Sequence, residues 1–375
     1  MDDIPRWSRG VRRAAYWTAV GATCLLAAEA TARLDDRVRQ GIPLLHVPDP
    51  ARDLVLRDSL GPRGRPNGRY KKWRLNRFGF RSADMTLVPA PGCTRIAVLG
   101  ASETLGAYEA DGQEYPSQLE DSLRGSGCVE VVNAAIAGIS LRRLTHLWNT
   151  WVARFQPSVV LVYPSPTLYL SENPPADPPA PRSAMEDDPP WWTPRLLERA
   201  HEVLHYPALI QRRRVARAVA RAVAGRDSSW LFRSVPADRL NQYVADLDSL
   251  VSAIRARGAT PVLVTHAMRF TVPPDPSDAD VLNSWRQFTP RATTDAILAF
   301  EEAAADATRM LGARRGVLVV DAASALSGHR EYFGDFVHFT NRGAGVMAGL
   351  IADRLRHAVL RSSQASPAES ADAVQ

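Results

Sequence analysis

An α/β domain with about five parallel strands and helices on both faces is the fold this sequence predicts, and three observations predict it. Short apolar runs of strand length recur along the chain. Segments with apolar residues at helical spacing separate them. The two kinds of segment alternate, which calls for a parallel sheet joined by right-handed crossovers.

The elements follow in chain order. Arg6, Arg9, Arg12 and Arg13 form a basic tail over 1–13 and precede an uncharged stretch over 14–28 that Glu29 interrupts. Against the bland alternative of a buried amphipathic helix in a soluble protein, a basic, then apolar, then polar order predicts a membrane anchor over 14–34, or a cleaved signal segment given the small residues Ala27, Ala28, Ala30 and Ala32. Either way the four arginines hold the N-terminus in the cytoplasm and export the rest of the chain, giving a single-pass protein with its main domain outside. Residues 35–93 are polar and rich in Arg, Pro and Gly, and read as a connector that packs against the main domain near an aromatic patch over 76–81.

The main domain is expected over 94–360. Residues 95–100, apolar and closed by Gly100, predict a strand buried on both faces. A helix over 115–123, a strand over 129–133, a helix over 141–155 and a strand over 158–163 complete a β-α-β-α-β run. Leu240, Val244, Leu247, Val251 and Ile254 recur at helical spacing before a strand over 260–265. A helix over 292–311, a strand over 316–320 and a helix over 341–360 close the domain, and 361–375 reads as a disordered tail.

An insertion over 168–235 parts the third strand from the fourth. Its first half holds eight prolines between 173 and 194, which excludes regular structure there, together with the pair Trp191 and Trp192. These two indoles are candidates for stacking on a sugar or acyl substrate, or for packing under the loop. Its second half is a basic helix around Arg212, Arg213, Arg214 and Arg217, with Val215, Val219 and Val223 along one side. An ordinary solvated face is the favoured reading, and contact with anionic lipid or glycan the functional one.

At 375 residues the chain can bury one large core with appendages. The 46 basic residues exceed the 40 acidic ones by only six, spread along the chain, so no nucleic-acid partner is called for. Cys24, Cys93 and Cys128 stand too far apart for a zinc-ligand spacing, and neither a metal nor another cofactor is expected. Cys93 and Cys128 each precede a strand, and those strands are expected to be parallel neighbours about 4.8 Å apart, so the two cysteines are expected to be bridged.

Chemistry concentrates at two strand ends. Gly100-Ala101-Ser102 opens toward a helix directly after the first strand of the domain, and Asp335-Phe336-Val337-His338 lies in the loop after the last. A serine hydroxyl needs a base to become a nucleophile, and the base needs an acid to fix its tautomer; His338 and Asp335 supply both. His266 closes the fourth strand and is a candidate for contact with substrate at the same edge, the bland reading being a satisfied core histidine.

Taken together these segments resemble the SGNH (GDSL-type) hydrolases. In that family a Gly-Asp-Ser segment after the first strand carries the nucleophile, and a C-terminal Asp-x-x-His completes the site. Here alanine replaces the aspartate at Ala101 while Asp335-x-x-His338 is intact. The resemblance implies a three-layer flavodoxin-like SGNH fold with catalytic Ser102, Asp335 and His338. It implies an oxyanion hole made from the amides of Ser102 and Gly138, because 133–138 matches the family's second block. Asn76, Gly79, Phe80 and Arg81 resemble a patch of the family's membrane-anchored envelope subgroup.

One block departs from the pattern. The family's third strand ends with an asparagine that donates to the oxyanion, whereas here Tyr163 is followed by Pro164, Ser165, Pro166 and Thr167. Ser165 or Thr167 is the expected substitute, since a lost donor costs about 2.7–4 kcal/mol of transition-state stabilisation. The resemblance implies a serine esterase acting on an O-acyl ester of an envelope glycan or lipid. The competing readings are an O-acyltransferase, which uses the same steps with a sugar hydroxyl in place of water, and a non-catalytic scaffold on the same fold.

Overall fold

The computed structural model describes residues 9–171, 193–196, 199 and 208–356. The chain divides into two compact units, one of 1–50 with 183–210 and the other of 51–182 with 211–375.

In the first unit the N-terminal segment is one helix, α1 (Arg9–Gln40), running past the expected end at 34. Its second half is charged. Glu29 pairs with Arg33 at 2.7 Å and accepts the amides of Arg195 and Leu196, while Asp36 pairs with Arg195 and Arg199, each at 2.6 Å. This corrects the expectation of a spanning anchor over 14–34: among the described residues no helix is long and apolar enough to cross a membrane. Glu29 falls inside the apolar stretch rather than beyond it and is already satisfied by protein partners, and so are the charges that follow it.

The second unit begins where a mere connector was expected. After a short helix α2 (Pro50–Asp53), strands β1 (Val55–Asp58) and β2 (Gly61–Gly64) pair antiparallel, as do β3 (Arg69–Tyr70) and β4 (Trp73–Arg74). The patch that follows folds on itself: Asn76 Oδ1 accepts the amides of Phe78 and Phe80 at 2.9 and 3.0 Å, mimicking a backbone turn.

The sheet then forms as expected. Its strands are β5 (Thr94–Gly100), β6 (Val129–Asn133), β7 (Val159–Tyr163), β8 (Thr260–Val264) and β9 (Leu318–Val320), all parallel, in the order β6-β5-β7-β8-β9. Along β5 successive side chains enter opposite cores. Ala97 and Leu99 join one cluster, Ile96 and Val98 the other. The first core packs the sheet against α5 (Leu141–Thr150), α7 (Ala237–Ala256), α8 (Ala279–Trp285) and α9 (Thr294–Arg315). The second packs it against α4 (Tyr115–Leu123), α10 (Ala322–Leu326) and α11 (Asn341–Leu355). The result is the expected three-layer α/β arrangement, and its strand order puts the topological switch beside β5, where such folds bind ligands.

Two details bear on the sequence reading. Thr94 pairs with Val129, so Cys93 and Cys128 stand side by side with 4.5 Å between their Cα atoms and form the expected disulfide. The basic helix is α6 (Ala208–Val223), whose Val215 is buried while Arg213 and Arg217 are exposed. Val219 and Val223, on the same side, are half-buried.

Candidate active site

Ser102 opens a four-residue helix, α3 (Ser102–Leu105), at the carboxyl end of β5. The turn is tight enough to demand glycine before it: a Cβ on Gly100 would lie 2.0 Å from Thr104 Oγ1. A helix this short cannot hold itself, and its C-terminal carbonyls are taken by side chains from elsewhere. Asn133 Nδ2 donates to Thr104 O at 2.9 Å, Trp73 Nε1 to Gly106 O at 2.8 Å, and Arg81 Nη1 to both Leu105 O and Gly106 O. Arg81 is in turn held by Glu114 at 3.1 Å. The segment before the sheet thus clamps the nucleophile turn.

The loop between β9 and α11 brings the other two residues to it. His338 Nε2 lies 2.9 Å from Ser102 Oγ and His338 Nδ1 lies 2.8 Å from Asp335 Oδ2. Asp335 Oδ1 accepts the amides of Val337 and His338 at 3.0 and 2.9 Å, so the i,i+3 spacing closes a small ring that aims the carboxylate. Burial alone would raise the Asp335 carboxyl, but the bond to His338 and these amides hold it below the ordinary carboxylate value. Burial disfavours the imidazolium of His338, yet the bond to Asp335 and the charges of Glu103, Asp335 and Glu109 raise it above the ordinary histidine value. The Tyr108 ring packs against His338 with centroids 6.0 Å apart.

Ser102 and Gly138 are the two residues expected to supply oxyanion amides. That of Ser102 is the first of α3 and has no partner within the helix. Gly138 lies exposed in the turn after β6 with φ +69°, a conformation that favours glycine.

Ser165 does not supply the missing third donor. Its hydroxyl donates to Glu103 Oε1 at 2.9 Å, which corrects the expectation that it serves the oxyanion. Thr167, the other substitute considered, is buried. His266 is also corrected: its side chain is 0% exposed, stacked on Tyr163, with Nδ1 2.7 Å from Glu301 Oε2 and Nε2 3.4 Å from Glu103 Oε1. Both ring nitrogens therefore face protein carboxylates. Trp191 and Trp192 lie outside the described residues.

Glu103, Glu109 and Glu301 escaped the sequence reading. Burial raises the Glu109 carboxyl, which settles at about 7 against the opposing pull of the Glu109 and Tyr108 amides and of Lys72 and Arg81. The available signal was a carboxylate in an apolar setting. Glu301 stands on the same helix face as Ile297, Ala304, Ala305 and Thr308, all buried.

No protein-family model matches the chain, and no curated protein matches it. Among solved structures, the acetylxylan esterase Axe2 from Geobacillus stearothermophilus is 14% identical, with 72% of this chain and 96% of that one covered and a TM-score of 0.41. A lipase/acylhydrolase from Enterococcus faecalis is 13% identical over 70% and 95% of the two chains, also at 0.41. A lipolytic protein of the G-D-S-L family from Desulfitobacterium hafniense DCB-2 is 12% identical over 70% and 99%, again at 0.41. In fold the chain is similar to these proteins.

Proposed function

We propose that this chain is a serine ester hydrolase of the SGNH type, acting on an O-acyl ester, acetyl among them, of an envelope glycan or lipid. The supporting observation is the unbroken relay from Ser102 Oγ through His338 to Asp335, with contacts of 2.9 and 2.8 Å. Ser102 Oγ attacks the acyl carbonyl carbon while its proton passes to His338 Nε2. The oxyanion is held by the amides of Ser102 and Gly138. As the ester C–O bond breaks, His338 returns the proton to the leaving alkoxide. Water then repeats the sequence on the acyl-enzyme, releasing the carboxylic acid and free Ser102. With two amides and no side-chain donor identified among the described residues, turnover is expected to be slow by the standard of a complete oxyanion hole.

A site outside the cytoplasm is part of this reading. Its support is the Cys93–Cys128 bridge, because disulfides form and persist in oxidising compartments. A reporter fused after Arg37 should be active only outside the cytoplasm, and a cytoplasmic signal would overturn the location.

The chemistry is tested with a serine-directed fluorophosphonate and an activated acetyl ester, the latter with and without an oligosaccharide acceptor. Labelling and acetate release that both vanish in Ser102→Ala support the hydrolase. Acetylated sugar as the dominant Ser102-dependent product would replace it with a transferase. Neither labelling nor product from several esters would leave a scaffold.

A further inference from the structure

Beside the triad lies a buried row of ionisable groups that the ester chemistry above does not use. Glu103 follows the nucleophile, is 3% exposed, and has Oε2 3.4 Å from Ser102 Oγ. Its other oxygen faces His266, and His266 faces Glu301. Oε1 of Glu301 is buried without a hydrogen-bond partner, and Glu301 and His266 both line a cavity of about 550 Å³ that Met268, Arg309 and Ser327 also border.

Two carboxyl side chains flank one imidazole, so a single protonated ring can neutralise only one of them. Taking such ions out of water costs several kcal/mol each in real proteins, so a neutral cluster of the same shape would be easier to bury. A carboxylate 3.4 Å from the attacking oxygen has the wrong sign to stabilise an oxyanion. It has the right sign for the imidazolium that forms on His338 when Ser102 loses its proton. With the asparagine of the third strand missing and Ser165 bonded to Glu103, the strand end serves the carboxylate instead of the oxyanion.

We propose that Glu103 is a positioning residue of the Ser102 site: held as an anion by His266 and Ser165, it accepts from Ser102 Oγ beside His338, and its charge supports the protonated imidazole. The proposal rests on the reading of Ser102 as nucleophile. Around His338 the charged and titratable groups are Asp335 on its own loop, Glu103 on α3, and Tyr108 and Glu109 on the segment after α3. Around Glu103 they are His266, His338, and the buried phenols Tyr115 and Tyr163. Burial would raise the Glu103 carboxyl, but His266 outweighs it and the group is held at about 2.

The test follows the His338 imidazole by NMR in protein labelled with ¹³C-histidine, across pH, and in parallel the rate at which fluorophosphonate modifies Ser102. In Glu103→Gln the midpoint of His338 should move to lower pH. The rate should fall between about ten- and a hundredfold, as for small misplacements in an active site. Glu103→Asp keeps the charge and should restore the midpoint more fully than the rate. A lowered melting temperature with an unchanged midpoint and an unchanged pH profile of modification would make Glu103 a structural residue only and overturn the proposal. If wild-type Ser102 is not modified at all, the esterase reading fails, whereas the midpoint still decides the placement of Glu103. Should Glu103→Gln not fold, the neutral triple variant Glu103→Gln/His266→Asn/Glu301→Gln leaves no buried charge unpaired and is read by the same midpoint.

Discussion

His338 and His266 are the same side chain put to opposite uses. His338 has one carboxylate, Asp335, on Nδ1, the Ser102 hydroxyl on Nε2, and a side chain 16% exposed. His266 has a carboxylate on each nitrogen and a side chain 0% exposed. Burial works against the charged form of His266, but Glu301 and Glu103 raise it to about 10. Its charged form is thus favoured, while His338 has Nε2 toward a hydroxyl that can give up a proton. The difference teaches that a base needs one neighbour that can change. A histidine closed by anions at both ends is part of the scaffold.

Breaking the catalytic member should give the largest effect. His338→Ala and Ser102→Ala should each lower kcat on a simple ester by about 10⁴-fold or more, with the melting temperature nearly unchanged, because both lie at the loop edge of the sheet. Retention of wild-type turnover by Ser102→Ala would refute the nucleophile. Breaking the buried member should act first on stability. His266→Ala leaves Glu103 and Glu301 facing each other without a cation, which should cost about 3–5 kcal/mol in denaturant unfolding. A loss of activity in that variant without loss of stability would contradict the assignment of His266 to the scaffold.

The disulfide offers a control remote from both histidines. Cys93→Ser/Cys128→Ser opens a loop spanning a sequence separation of 35 residues and should destabilise by about 3–4 kcal/mol in the chain-entropy account. Esterase kinetics should be unaffected at temperatures where the variant is folded, and alkylation of both thiols in unreduced wild type would exclude the bridge.

Two pH profiles sharpen the comparison with smaller effects. The folded-state value of His266 lies above its unfolded value, so its stabilisation is complete below about pH 6.5 and is lost as pH rises toward about 10. Glu103 is depressed, so its share is complete above about pH 4.5 and is lost as pH falls toward about 2. Melting temperatures of wild type minus those of the neutral triple variant should decline on both sides of that window. Activity follows the other histidine: ester attack needs neutral His338, whose value is raised, so kcat/KM should climb with pH on a limb above the ordinary histidine value. Asp335→Asn should move that limb to lower pH while lowering its plateau, and an unmoved limb would assign it to another group.

Much of this was legible in the chain. Apolar runs over 95–100, 129–133 and 158–163 are strand-length and separated by helical spacings, and the sheet has those strands in parallel. Ser102 after the first of them and Asp335-x-x-His338 beyond the last strand of the sheet, β9, are local motifs, and a parallel sheet brings all its carboxyl ends to one edge. The paired cysteines were legible for the same reason, because each precedes a strand and the strands are neighbours. Local pattern was misleading at α1, where an uncharged stretch suggested a span although Glu29 and the charges after it engage Arg33, Arg195 and Arg199.

Three things were decided only by tertiary structure. Ser165 and His266 look like site residues because they stand at strand ends, yet their polar atoms turn toward Glu103. Glu103 and Glu301, 198 positions apart in the chain, read as ordinary acids until the sheet and α9 enclose His266 between them. Arg81 and Trp73 read as part of a connector until they clamp the carbonyls of α3. The physical reason is common to all three. Periodicity and motif spacing report which face of an element is buried, since that is set by the chain's own geometry. Which charge meets which inside the fold depends on long-range packing, and no local pattern encodes it.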